Sequence, residues 1–205
     1  MRQLISTSLI IATALALAPA AQAANTDHFS LTDWEMHDGD GVLTLEESIP
    51  RFGALRLYPL SEVPAFDDEG WHIAPSGAQI ELDQRSLLCG TPTSCFDGVD
   101  FKYFQTFLMV PADASYDAIT LSFDAIDDGV QVKVFNSLHP EGRTLPGGHL
   151  FMKLNLQETR DLSPLFAPGE ENRIVITLAD NCCGRTMLMG AQVKVDGVSI
   201  SGALE

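Results

Sequence analysis

Basic residues are scarce in this chain: 12 Lys and Arg stand against 28 Asp and Glu in 205 residues, a formal charge of −16. Nucleic acids and anionic membrane surfaces hold proteins chiefly through Lys and Arg, so neither is an expected partner. Long apolar runs are lacking too. The most apolar stretch, Leu9–Ala18, falls short of the ~20 residues that a membrane-spanning helix needs, so no membrane insertion is expected. Signatures of catalysis are missing: there is no G-x-S-x-G, no H-E-x-x-H and no glycine-rich phosphate loop. The five histidines (His28, His37, His72, His139 and His149) form no i, i+4 pair. Adjacent acids such as Asp127 and Asp128 could serve a glycosidase, yet such pairs are common turn-formers. A non-catalytic chain is the expectation.

Cysteine is limited to Cys89, Cys95 and the adjacent Cys182 and Cys183. The N-terminus suggests export: Arg2 precedes the apolar stretch, and Ala21-Gln22-Ala23 is a small-x-small cleavage signal. A signal peptide over residues 1–23 and a single domain over 24–205 are expected, in a secreted or periplasmic protein. In that setting the cysteines read as disulfides. One arrangement pairs Cys89 with Cys95 and Cys182 with Cys183; the other joins each of the first two to the 182/183 pair. A four-cysteine zinc site is the rival, with poor spacing because C-x₂-C pairs are absent.

The stretch from Asp117 to Asn136 is the most ordered part of the sequence. Ile119, Leu121, Phe123 and Ala125 alternate with polar residues, and Val130, Val132 and Val134 do so again. Period-two alternation marks strands with one buried face. Asp127-Asp128-Gly129 between them predicts a turn, hence a hairpin. Phe101–Val110 is apolar on both faces, as a central strand would be. Ile174, Ile176 and Leu178 should face inward, and Asp196-Gly197 carries a type I′ hairpin signal. Asp161 should cap a short helical turn with Pro164 in its first turn. Further strands are predicted at Ala54–Tyr58, Trp71–Ala74, Gln79–Leu82 and His149–Leu156, and a long loop at Ser137–Gly148. The sum is an all-β protein, a jelly-roll β-sandwich of roughly eight to ten antiparallel strands.

Three segments carry a family resemblance: FKYFQTFLMVP (Phe101–Pro111), AITLSFDAIDDGVQVKVFN (Ala118–Asn136) and DLSPLFAPGEENRIVITLAD (Asp161–Asp180). Together they resemble the galactose-binding-like jelly roll of carbohydrate-binding modules and of the sugar-binding β-sandwich in many glycoside hydrolases. Asp127, Asp128, Asn136, Asp161, Leu165, Pro168, Gly169 and Asn172 fill matching positions, while Ser137 replaces an expected glycine. The resemblance covers about residues 100–200 and implies a carbohydrate or cell-surface glycan as partner. It also implies a possible structural calcium.

Ligand candidates are the aromatic and polar residues of loops: Trp34, Trp71, Asp128, His139, Asp180, Asn181 and Arg185. Asp180, Asn181 and Arg185 can pair with vicinal hydroxyls, and an indole offers a flat face to a sugar ring. The site is expected where Ser137–Gly148 and Asp180–Arg185 meet at one end of the sandwich. Trp71 also fits a core role, and Asp180 and Arg185 fit a mere surface ion pair. Met36–Glu47 partly matches a calcium loop through Asp38, Asp40 and Glu47, although Met36 holds the first ligand position. The alternative there is a hairpin turn at Asp38–Gly41. Thr32-Asp33-Trp34-Glu35 also matches a helix capping box. A protein-interaction or cell-surface accessory sandwich without a sugar site is the alternative function, favoured if both tryptophans are buried.

Overall fold

The computed structural model describes residues 26–39, 63–74, 80–81, 100–145, 149–153, 158–180 and 187–200. A 3-10 turn at Thr26–His28 leads to β1 (Ser30–Leu31) and β2 (Glu35–Gly39). Then come β3 (His72–Ile73), β4 (Ile80–Glu81) and the long β5 (Asp100–Val110). β6 (Ile119–Phe123) and β7 (Ala125–Asn136) are followed by β8 (His139–Arg143), β9 (His149–Lys153) and β10 (Glu158–Asp161). After β11 (Glu170–Asp180) the described chain ends in β12 (Met187–Met189), β13 (Gln192–Val195) and β14 (Val198–Ser199).

These strands form two antiparallel sheets, the larger ordered β3-β2-β5-β11-β7-β12-β4 and the smaller β10-β6-β13-β14. In the larger sheet β1 also pairs with β5, and β8 and β9 pair with β7. The protein is an all-β sandwich. Among the described residues no helix is long and apolar enough to cross a membrane.

The core lies between the sheets. Phe104, Leu108, Val130, Val132, Val134, Ile174, Ile176 and Leu178 come from the large sheet, and Ile119, Leu121, Phe123, Val193 and Val195 from the small one. Burying each such side chain fully contributes about 1.5–3 kcal/mol. The expected alternation therefore holds for β6, β7 and β11, and β5 is central and two-sided as expected.

The expected hairpin at Asp127–Gly129 is not there. β6 belongs to the small sheet and β7 to the large one, so the chain changes sheet at Asp124. The corner needs space, which Gly190 provides: at its φ of +62 a Cβ would collide with the Asp124 carboxylate. Asp127, Asp128 and Gly129 lie inside β7, where the register against β9 slips between Ile126 and Gly129. Turn-forming residues here accommodate an irregular strand rather than reversing it.

Other expectations need similar correction. Thr32 caps no helix; its hydroxyl accepts from the Phe107 backbone N–H at 2.9 Å and meets the Thr106 hydroxyl at 3.2 Å. Met36–Gly39, the first part of the expected calcium loop Met36–Glu47 and overlapping the alternative hairpin turn at Asp38–Gly41, is the body of β2 paired to β5, and residues 40–47 lie outside the described residues. The long loop after Asn136 contains β8, joined to β7 across Ser137 and Leu138. At Asp161 the carboxylate accepts from the Ser163 backbone N–H and hydroxyl, one residue ahead of the turn's N-cap, Leu162. The type I′ signal is realised: Asp196 and Gly197 have φ of +50 and +81. Asp196 Oδ1 also accepts from the backbone N–H groups of Asp117 and Ala118, each at 2.8 Å.

Two residues from the resemblance prove to be architectural. Asn172, fully buried, accepts through Oδ1 from Asn136 Nδ2 and the Ala167 N–H, each at 2.8 Å. Its Nδ2 donates to the carbonyls of Ala167 and Glu170 at 3.0 Å. Asn136 Nδ2 also donates to the Leu165 carbonyl at 2.7 Å. The pair holds the 162–169 connection against the β7–β8 turn, satisfying backbone carbonyls that burial would otherwise orphan.

Candidate functional site on the outer face of the large sheet

Strand registers determine what the other face of the large sheet displays. Phe135, Arg173 and Phe107 align in one row across β7, β11 and β5. The next row holds Lys133, Val175, Gln105, Glu35 and Ile73, and the third Gln131, Thr177, Tyr103 and His37. Charged and amide groups thus interleave with aromatics on the side away from the main core. Much of this face is nonetheless buried: Tyr103, Gln105, Thr177 and Val175 are almost wholly inaccessible, and Arg173 is only 8% exposed. Buried polar side chains are the informative departure from a hydrophobic interior.

Arg173 is the centre of the arrangement. Its Nε donates to Gln105 Oε1 at 2.7 Å and its Nη2 to the Pro64 carbonyl at 2.7 Å. The guanidinium also lies 5.5 Å from the Trp71 ring centroid and 5.2 Å from that of Phe135. Cation–π attraction of this kind strengthens when the cation is desolvated. Burial draws the guanidinium down to about 10, while Glu35 and Asp67 act in the opposite sense. It therefore stays charged at neutral pH.

Gln105 extends the network, its Nε2 donating to Glu35 Oε2 at 2.6 Å and to the Phe66 carbonyl at 3.2 Å. Trp71 Nε1 donates to the Ala65 carbonyl at 2.6 Å. Three successive carbonyls, of Pro64, Ala65 and Phe66, thus accept from side chains beneath or beside the segment. This fixes the segment 63–71 as a wall over the sheet.

Beside that wall, His37 Nε2 meets Asp68 Oδ1 at 3.0 Å, and the His37 ring stands edge-on to Trp71 at 5.2 Å. The Gly70 N–H donates to the same Asp68 oxygen at 2.8 Å. That backbone donor first, and His37 second, hold the Asp68 carboxyl below its ordinary value. Lys133 is half-buried, and desolvation lowers its pKa.

Among the described residues, the candidates Trp34, Trp71 and His139 are not brought together, while Asp128 and Asp180 lie next to the paired Gly129 and Ala179 of β7 and β11. Trp34 lies in the main core at 3% exposure, and its indole N–H has no partner among the described residues. Trp71 belongs to the outer-face cluster with Tyr103, Val175, Val63 and Phe135. Asp128 lies within β7, and Asp180 ends β11 opposite Asp100 of β5. His139 begins β8 at the other end of β7, where its backbone N–H donates to Asn136 Oδ1 at 2.9 Å. At a strand rise of ~3.3 Å per residue, roughly 25 Å separates the His139 and Asp180 ends. Ser137 and Asp180 therefore do not share one end of the sandwich.

Asp38 on β2 pairs with Lys102 at 3.0 Å, and among the described residues no three His, Cys, Asp or Glu side chains group to hold a metal. Asp40, Glu47, Asn181, Arg185 and the four cysteines lie outside the described residues, as do residues 1–23 and the expected strand at Ala54–Tyr58. Sequence reading missed Arg173, Gln105, Glu35, Lys133 and Phe135. Their signal was the polar phase of strands whose apolar phase was recognised.

No family model and no curated protein matches this chain. Among solved structures it is similar to a beta-glucuronidase from an uncultured Clostridium sp., with 13% identity and a TM-score of 0.39 over 79% of this chain and 23% of that one. It is also similar to the Faecalibacterium prausnitzii beta-glucuronidase, with 14% identity and a TM-score of 0.38 over 78% and 22%. The chain thus spans less than a quarter of either enzyme. Function has to be read from the side chains themselves.

Proposed function

We propose that this chain is an exported, non-catalytic carbohydrate-binding module of jelly-roll type, with its ligand on the outer face of the large sheet. One observation carries the reading: a guanidinium, two glutamine amides and a lysine share a sheet face with Trp71 and Phe135, away from the core. A sugar ring has an apolar face that stacks on aromatics and an equatorial fringe of hydroxyls that pair with amides and cations. Gln105, buried and hydrogen-bonded at both ends of its amide, braces Arg173 from beneath, so the guanidinium is preorganised, which reduces the ordering cost of binding. Export accords with the charge pattern at the N-terminus and with the small-x-small signal at Ala21–Ala23.

A protein partner is the second reading, favoured by Phe66 and Ile73. Both are 63% exposed beside the 63–71 wall, and burial of Trp34 removes one of the two indoles available to a sugar. A broad glycan array probed with the exported chain separates the two. Binding to a defined glycan class is expected, and loss of that binding on Trp71→Ala with the fold retained would locate it. An array on which nothing binds removes the sugar reading.

A further inference from the structure

Two cations share the outer face of a chain that has only 12 Lys and Arg against 28 Asp and Glu. Arg173 has a carboxylate close by, Glu35, reached through Gln105. Lys133 has none: among the described residues it makes no hydrogen bond and no ion pair, although it is half-buried and desolvated. A surface lysine normally extends its ammonium into water. One held partly out of water with no counter-charge is at a disadvantage, in an acidic chain where partners are plentiful.

The geometry gives this cation a neighbour with spare donors. Lys133 stands opposite Val175, while Arg173 stands opposite Phe135, two residues further along β7. Lys133 and Arg173 are therefore diagonal cross-strand neighbours, with Cβ atoms roughly 7–8 Å apart. That spacing lets both side chains reach one small anion. Arg173 uses Nε on Gln105 and Nη2 on Pro64, and its Nη1 has no partner among the described residues. The Phe135 ring lies 5.2 Å from the Arg173 guanidinium, and the buried Gln131 follows Lys133 on the same face.

From these placements we infer that Lys133 and Arg173 together receive the carboxylate of an acidic sugar, whose ring lies against Phe135. The inference rests on the sugar-binding reading of this face and narrows it to carboxylated carbohydrates. A carboxylate has planar, paired acceptors that suit a guanidinium N–H and an ammonium together. It also supplies the counter-charge that Lys133 lacks among the described residues.

The test uses matched pairs that differ in the carboxylate alone: glucuronate against glucose and galacturonate against galactose. Each is titrated calorimetrically into the exported full chain. In at least one pair the acidic member should bind ten-fold or more tighter. Lys133→Met should abolish that preference without lowering the melting temperature, because it removes a charge that has no partner among the described residues. Binding that is equal within each pair, or a preference that survives Lys133→Met, overturns the carboxylate inference and leaves the sugar reading in place. A parallel titration with acetate, followed through the Lys133 ε-carbon resonance, separates the remaining case. A response to acetate with no binding of any sugar keeps the anion site and rejects the sugar. No response to acetate or to any sugar rejects both.

Discussion

Replacing Arg173 by alanine is the perturbation whose cost can be worked most directly from the structure. The side chain donates to Gln105 Oε1 and the Pro64 carbonyl, both at 2.7 Å, and stacks near Trp71 and Phe135. Its loss orphans two acceptors, and leaving a buried acceptor unpaired costs ~1–3 kcal/mol. The two ring contacts add about 0.5–1 kcal/mol each. Set against this, a desolvated charge is removed and the 63–71 wall can lift, letting water reach the Pro64 carbonyl. The net expectation is a loss of about 3 kcal/mol. Arg173→Lys should lose less, since an ammonium can keep one of the two acceptors but not the planar geometry. Urea unfolding gives the magnitude, and amide exchange at 65–71 gives the mechanism, with protection falling there before anywhere in β7 or β11. A loss under about 1 kcal/mol with unchanged exchange would refute the claim that Arg173 anchors the wall.

Other expectations follow from the same geometry. Asn172→Ala should destabilise by about 2–4 kcal/mol, because it strands the Ala167 N–H and the carbonyls of Ala167 and Glu170 and removes one of the two acceptors of Asn136 Nδ2; denaturant unfolding measures it. Asp196→Ala should cost ~1–3 kcal/mol by freeing the Asp117 and Ala118 N–H groups at a positive-φ position, and Asp196→Asn clearly less. The Asp68 carboxyl is held below its ordinary value of 3.8. The stability it contributes is thus present above that pH and lost as the pH falls through the lowered value. In a Trp34→Phe background, Trp71 emission should report that acid step, and Asp68→Asn should abolish it.

What the sequence revealed was local. Alternation in β6, β7 and β11 follows from burial on one face, and the Asp196-Gly197 turn follows from the φ that its residues accept. The sheet change at Asp124 was hidden because its cause, the space over Gly190, lies far along the chain. Asp127-Asp128-Gly129 has turn propensity, but pairing with β11 and β12 on one stretch of β7 overrides it. The outer-face cluster was hidden for a related reason. Arg173 and Gln105 are 68 residues apart, and Gln105 and Glu35 are 70 apart. Only the register of β2, β5 and β11 places them side by side. Trp34 and Trp71 look equivalent in sequence, yet one fills the core and the other caps an arginine.

An NMR titration of the chain tests most directly whether the outer face of the large sheet is the ligand site. With a glycan selected from the array, shifts should concentrate at Lys133, Phe135, Arg173 and the Trp71 indole N–H, with the core strands β6 and β13 silent. Saturable shifts confined to His139 or to Asp180 and the residues that follow it, with Lys133 and Trp71 unmoved, would contradict it.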